Sequence, residues 1–173
     1  TDAAVLSLKK GDTDMFWWGV KPGYLSDLES EPHIQIYSND RSALYYMGFN
    51  LRKPPFNDVH LRQAMATLID KDFIIARILQ GNGIRMDSII PPGNRVWYCP
   101  DLPKYGEGLS RPERIRKAYE MLKTAGYTWE VDPVDKRGNV VKGKGIRLPD
   151  GKPMGDFTIL TPPADYDPER AMA

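Results

Sequence analysis

Apolar positions along this chain recur at helical spacing in some stretches and alternate or cluster in others, so the pattern predicts a mixed α/β architecture. Residues 3–10 read as the last turns of a helix, stopped by Gly11 at the position after the C-cap. Met15-Phe16-Trp17-Trp18-Gly19-Val20 is a short aromatic-rich run that suits a buried strand. Residues 22–29 predict a short helix with Leu25 and Leu28 inward, ending before Pro32. Residues 34–38 and 42–50 alternate with period two and predict strands, joined by the turn residues Ser38-Asn39-Asp40.

Past Pro54-Pro55, Asp58 predicts the N-cap of a helix whose apolar stripe is Leu61, Ala64, Met65, Leu68 and Ile69. Asp70 predicts the cap of a second helix over residues 71–79, with Ile74, Ile75, Ile78 and Leu79 inward and Gly81 and Gly83 closing it. An irregular stretch follows to about residue 109. Ser110 and Glu113 form a capping box for a third helix with Ile115, Ala118, Tyr119 and Leu122 on one face and Gly126 as terminator. Residues 129–153 carry Asp-Pro, Arg-Gly-Asn, Gly-Lys-Gly and Asp-Gly turns and predict a β-ribbon. Residues 157–160 predict a short strand. Asp167 and Pro168 open a helix with no body, so both ends read as cut, and the chain reads as an internal piece of a longer protein. Thr1-Asp2-Ala3-Ala4 lacks the pattern of a signal peptide, so an exported protein would be represented here by a mature or truncated form.

Composition narrows the function classes. The 24 Lys and Arg against 23 Asp and Glu give a net charge of +1, which supplies no electrostatic ground for a nucleic-acid partner or an anionic membrane surface. No apolar run is long enough for a membrane-spanning helix. One cysteine, Cys99, reads as a half-buried spectator and leaves the redox compartment open. His33 and His60 lack metal-ligand spacing, and HExxH, GxSxG and P-loop motifs are missing. Asp132, Asp135 and Gly138 faintly suggest a calcium loop, but Pro133 and Lys136 occupy ligand places, so a hairpin turn is the better reading. The expectation is therefore no catalytic residues, no metal and no cofactor, although triads are set in space and not in sequence. A hydrolase or transferase domain is the remote alternative.

What the chain offers instead is aromatic surface, with 4 Trp, 9 Tyr and 5 Phe, suited to a cleft for an amphipathic solute. Trp17 and Trp18 cannot point the same way from a strand, so one packs while the other faces a surface or crevice. Tyr45-Tyr46-Met47-Gly48-Phe49-Asn50, Lys53-Pro54-Pro55-Phe56-Asn57-Asp58-Val59, Leu61-Arg62-Gln63-Ala64 and Ile69-Asp70-Lys71 together resemble the signature of the oligopeptide, dipeptide and nickel solute-binding proteins, family 5. Leu8-Lys9-Lys10-Gly11-Asp12-Thr13-Asp14 upstream, and Ile90-Pro91-Pro92, Gly126-Tyr127, Pro149-Asp150-Gly151-Lys152-Pro153 and Tyr166-Asp167-Pro168 downstream, fall in the family's order.

The resemblance implies part of a bilobed fold like the type II periplasmic binding proteins. Residues 1–49 would be the tail of lobe I with the crossover strand, and residues 50–173 the first part of lobe II. It implies a non-catalytic, monomeric receptor, periplasmic or a cell-surface lipoprotein, that passes a peptide or similar solute to the membrane permease of an ABC transporter. An oligosaccharide, opine or metal chelate is the alternative ligand. By the same resemblance, the ligand-facing residues are Trp17, Trp18 and Gly19, then Tyr46 and Gly48. On the residues' own chemistry, Pro54-Pro55 stiffens the lobe crossing and Arg62 meets an acidic partner beside its helix. Residues 156–167 contain no Lys, Arg or His, with Tyr166 as contact between Asp165 and Asp167. That edge disfavours a short peptide carboxylate and favours a neutral, cationic or longer ligand.

Overall fold

The computed structural model describes residues 2–17, 19–39 and 44–161. The helices are α1 (Asp2–Lys10), α2 (Leu25–Glu29, entered through a 3₁₀ turn at Pro22–Tyr24), α3 (Val59–Leu68), α4 (Lys71–Phe73) and α5 (Arg111–Thr124). Two of these ends follow from glycine. Gly11, at φ 76°, and Gly126, at φ 91°, turn the chain left-handed after α1 and α5. At the second, Gly126 N–H donates to the Lys123 carbonyl and Tyr127 N–H to that of Leu122, both at 3.0 Å, so the last carbonyls of α5 are satisfied.

The caps predicted from the sequence are in place. Asp58 accepts from His60 N–H at 2.9 Å, Asp70 from Phe73 N–H at 3.0 Å, and Glu113 from Ser110 N–H at 2.8 Å. After α4 the chain widens into a π-helical turn, Ile74–Ile78, closed by Leu79 N–H donating to the Ile74 carbonyl at 3.0 Å. The single helix expected over 71–79 is therefore two pieces, and of its stripe only Leu79 is buried.

α3 packs on α5. Leu61 and Ala64 of the one meet Ala118 and Leu122 of the other, with Tyr127 completing the core and Phe56, Met65, Trp129, Ile146, Leu148 and Met154 around it. The stripe of α3 departs from expectation at its C-terminal end. Leu68, in the last turn, is 45% exposed, while Thr67 is fully buried. Burial of Thr67 is tolerable because its hydroxyl donates to the Gln63 carbonyl at 2.9 Å. Arg62 also differs: Nη1 donates to the Phe56 carbonyl at 2.6 Å, and no acidic partner takes its charge among the described residues.

Residues 127–154 form the expected ribbon, through antiparallel bridges Thr128–Arg147, Val131–Lys144 and Val134–Val140, with a return at Arg147–Pro153. Its tip is a hairpin turn in which the Asp135 carboxylate accepts the Arg137 and Asn139 N–H groups, both at 2.8 Å. That is the turn reading of this segment, not the calcium one.

The other strands are not seen. Among the described residues, 15–20, 34–38, 44–50 and 157–160 enter no ladder, so the described part is rich in helix with isolated bridges and does not show the expected α/β layers. The physical reason is that alternation specifies which face of a strand is apolar but not its neighbour, and a strand exists only where a neighbour completes the hydrogen bonds. The helix expected from Asp167 lies outside the described residues.

Candidate functional site

Four of the six sequence-predicted ligand residues lie in the described part, on irregular backbone. Trp17 is 73% exposed and Tyr46 80% exposed. A side chain added at Gly19 would meet nothing within 4 Å, whereas one at Gly48 would lie 3.5 Å from the Tyr46 ring. Gly48 thus lies beside that ring, where a side chain would make ordinary contact with it. Trp18 and Tyr166 lie outside the described residues.

Two grooves lie among the described residues. The larger groove, about 430 Å³, is walled by Pro54, Pro55, Phe56, Leu148, Met154 and Phe157. A second, of about 330 Å³, lies between the end of α5 and Trp129. Neither includes Trp17, Gly19, Tyr46 or Gly48. Cys99 is exposed, contrary to the half-buried expectation. Among the described residues no cluster of three His, Cys, Asp or Glu side chains comes together, and no helix is long and apolar enough to cross a membrane.

What joins the candidate segments to the body is aromatic. The ring of Phe49, next to Gly48, lies 5.5 Å from that of Phe56, and Phe157 meets Phe56 edge-on at 5.2 Å. The sequence signal for Phe56 was available in Pro54-Pro55-Phe56-Asn57-Asp58, but its role between two rings was not.

Below this contact the body is held by acidic helix caps that serve twice. Asp58 accepts the Tyr127 hydroxyl at 2.7 Å as well as capping α3. Burial raises the Asp58 pKa, but the bonds from Tyr127 and His60 outweigh it and leave the carboxyl below its ordinary value. Burial and the same bond push the Tyr127 hydroxyl up. Asp70 caps α4 and receives both ends of the Arg114 guanidinium, one at 3.0 Å. The Phe73 N–H lowers the Asp70 pKa most, burial opposes it, and the hydrogen bond and charge of Arg114 add to the lowering.

The long stretch before α5 is tied to the same region. Arg114 Nε donates to the Gly106 carbonyl at 3.2 Å, and Arg85 donates to the Tyr105 carbonyl at 3.1 Å and to Asp87 at 3.0 Å. Sequence reading missed Arg114 because a cation on the first turn of a helix ordinarily reads as solvated.

The oligopeptide-binding protein AppA of Bacillus subtilis is 29% identical over 163 residues, 92% of this chain and 26% of that protein. The heme-binding protein A of Haemophilus influenzae is 31% identical over 104 residues, 60% of this chain and 18% of that protein. The dipeptide-binding protein of Escherichia coli is 31% identical over 106 residues, 61% and 18% respectively. The chain thus spans about a quarter or less of the length of these relatives. No solved structure matches it significantly. The family described as bacterial extracellular solute-binding proteins, family 5 Middle, matches residues 1–173, and the chain belongs to that family.

Proposed function

We propose that this chain is part of the substrate-binding component of an ABC importer, which captures a peptide outside the cytoplasmic membrane and delivers it to the permease. The observation that carries the reading is the match to a solute-binding family across the whole chain, with a relative named as oligopeptide-binding aligned over 92% of it. In this reading the receptor is periplasmic or anchored at the cell surface, acts as a monomer, and catalyses nothing. Residues 1–49 belong to lobe I and residues 50–173 to lobe II.

Ligand contacts come from Trp17, Trp18, Gly19, Tyr46, Gly48 and Tyr166. Support for this set is the exposure of Trp17 and Tyr46: large amphipathic rings that solvent reaches are suited to close on a solute. The lack of cations over residues 156–167 favours a neutral, cationic or longer peptide over a dipeptide.

Native mass spectrometry of the full-length receptor, purified without refolding, tests the proposal. A co-purified peptide longer than two residues is the expected result. A haem, a sugar or a metal chelate in its place would overturn the peptide assignment.

A further inference from the structure

We infer that Phe56 is a positioning residue, whose ring sets where the segment carrying Tyr46 and Gly48 stands against the body built from α3, α5 and the ribbon. The inference rests on the proposed function for its significance, because it concerns the placement of that site's candidate ligand residues.

Phe56 is itself fixed from several sides. Its N–H donates to the Lys53 carbonyl at 3.0 Å, and its carbonyl accepts from Arg62 of α3 at 2.6 Å. Its ring packs against the Leu61, Ala64, Ala118, Leu122 and Tyr127 core. Backbone and side chain are thus both referred to the helical body. From that position the ring presents one side to Phe49, tilted by 38° at 5.5 Å, and takes the Phe157 ring at 78° and 5.2 Å.

Phe49 is adjacent to Gly48 and three residues from Tyr46, and it lies on a stretch that has no ladder of its own to fix it. An aromatic pair of this geometry adds directional preference to simple burial, because ring quadrupoles favour tilted and edge-on arrangements. Leucine at position 56 would still fill apolar space but would offer no ring, while tyrosine would keep it.

The experiment uses the full-length receptor without any added solute, so its result does not depend on what the receptor binds. The rate of chymotrypsin cleavage after Tyr46 is read and, for comparison, that after Tyr119 and Tyr127 of the body. Phe56→Leu is expected to speed cleavage after Tyr46 by about three- to tenfold, while cleavage after Tyr119 and Tyr127 changes far less. Phe56→Tyr is expected to restore the wild-type pattern.

Phe49→Leu, at a half-buried position where folding is less at stake, should give the same local rise. The double variant should exceed neither single one, because both remove one contact. Unchanged cleavage after Tyr46, an equal rise after Tyr119 and Tyr127, or additive effects of the two variants would overturn the inference. Failure of the peptide reading would show separately, as the wrong solute or none in the native mass spectrum of the wild-type receptor.

Discussion

Asp70 caps α4 with its carboxylate and holds Arg114 with the same group, yet the two partners sit in different surroundings. The Arg114 side chain is 6% exposed and that of Asp70 39%. Removing the carboxylate strands a buried guanidinium with the Gly106 carbonyl and an Asp72 oxygen at 4.0 Å. Removing the guanidinium leaves a carboxylate that water reaches and that still caps Phe73. Asp70→Ala should therefore cost about 3–4 kcal/mol and Arg114→Met about 1–2 kcal/mol, read by urea denaturation. The reverse order would show that the buried cation tolerates isolation.

The same caps set the pH response. Asp58 and Asp70 have folded pKa values below the ordinary 3.8. The unfolded chain then binds protons more readily, so their contribution is complete above that value and is lost as pH falls through the folded values. Tyr127 has the opposite sign: its pKa is raised above 10.0, so its contribution is complete below 10.0 and is lost as pH rises through the folded value. Denaturation midpoints measured across pH should decline at both extremes, and Tyr127→Phe should reduce the alkaline decline while lowering stability near neutrality by about 1 kcal/mol.

Among the elements, the irregular stretch before α5 is fixed by contacts that only tertiary structure creates. Gly106 and Gly108 have nearly equal backbones, at φ 70° and φ 68°. A side chain at Gly108 would meet nothing within 4 Å, but at Gly106 it would stand 2.5 Å from the Thr67 carbonyl oxygen. That obstacle is backbone at the end of α3 and cannot rotate aside. Gly108→Ala should cost about 1 kcal/mol, the penalty of a left-handed residue alone, and Gly106→Ala about 3 kcal/mol. Calorimetric melting of the two variants gives the difference directly; equal losses would mean that the α3 end yields.

The contrast explains what was legible. Asp58, Asp70, Ser110, Glu113, Gly11 and Gly126 act on backbone within a few residues, so helix ends could be placed from local chemistry. The neighbour of Gly106 lies far back in the chain, and the partners of 34–38 or 44–50 are not specified by alternation. The burial of Thr67 and Arg114 escaped notice for the same reason, since each depends on a distant group.

For the whole molecule, the family was legible because its motif is a run of local devices from residue 45 to 71, whereas the site was legible only as a set of aromatic positions. Trp17 and Tyr46 do stand exposed, but what they face is not encoded near them. The distribution of fixed and unfixed backbone leads to a last prediction. The N–H groups of residues 35–39, 44 and 46–49 bond to no described backbone carbonyl, while the region from Phe56 to Met154 is tied by the α3–α5 core, the ribbon bridges and the Asp58 and Asp70 links. Local opening is easiest where few buried contacts and few hydrogen bonds must break.

Brief chymotrypsin treatment of this 173-residue chain should therefore cut first after Tyr37 or Tyr46 and leave a resistant product that begins near residue 47. Trp97 is 72% exposed, but its N–H and that of Tyr98 both donate to the Asn94 carbonyl, at 3.2 and 2.9 Å, and its loop is anchored through Arg85 and Arg114. Cleavage there should follow later. Mass spectrometry of the products over time decides it: early cuts after Tyr119 or Tyr127, which are buried, would show that the α3–α5 body opens as readily as the segments before it.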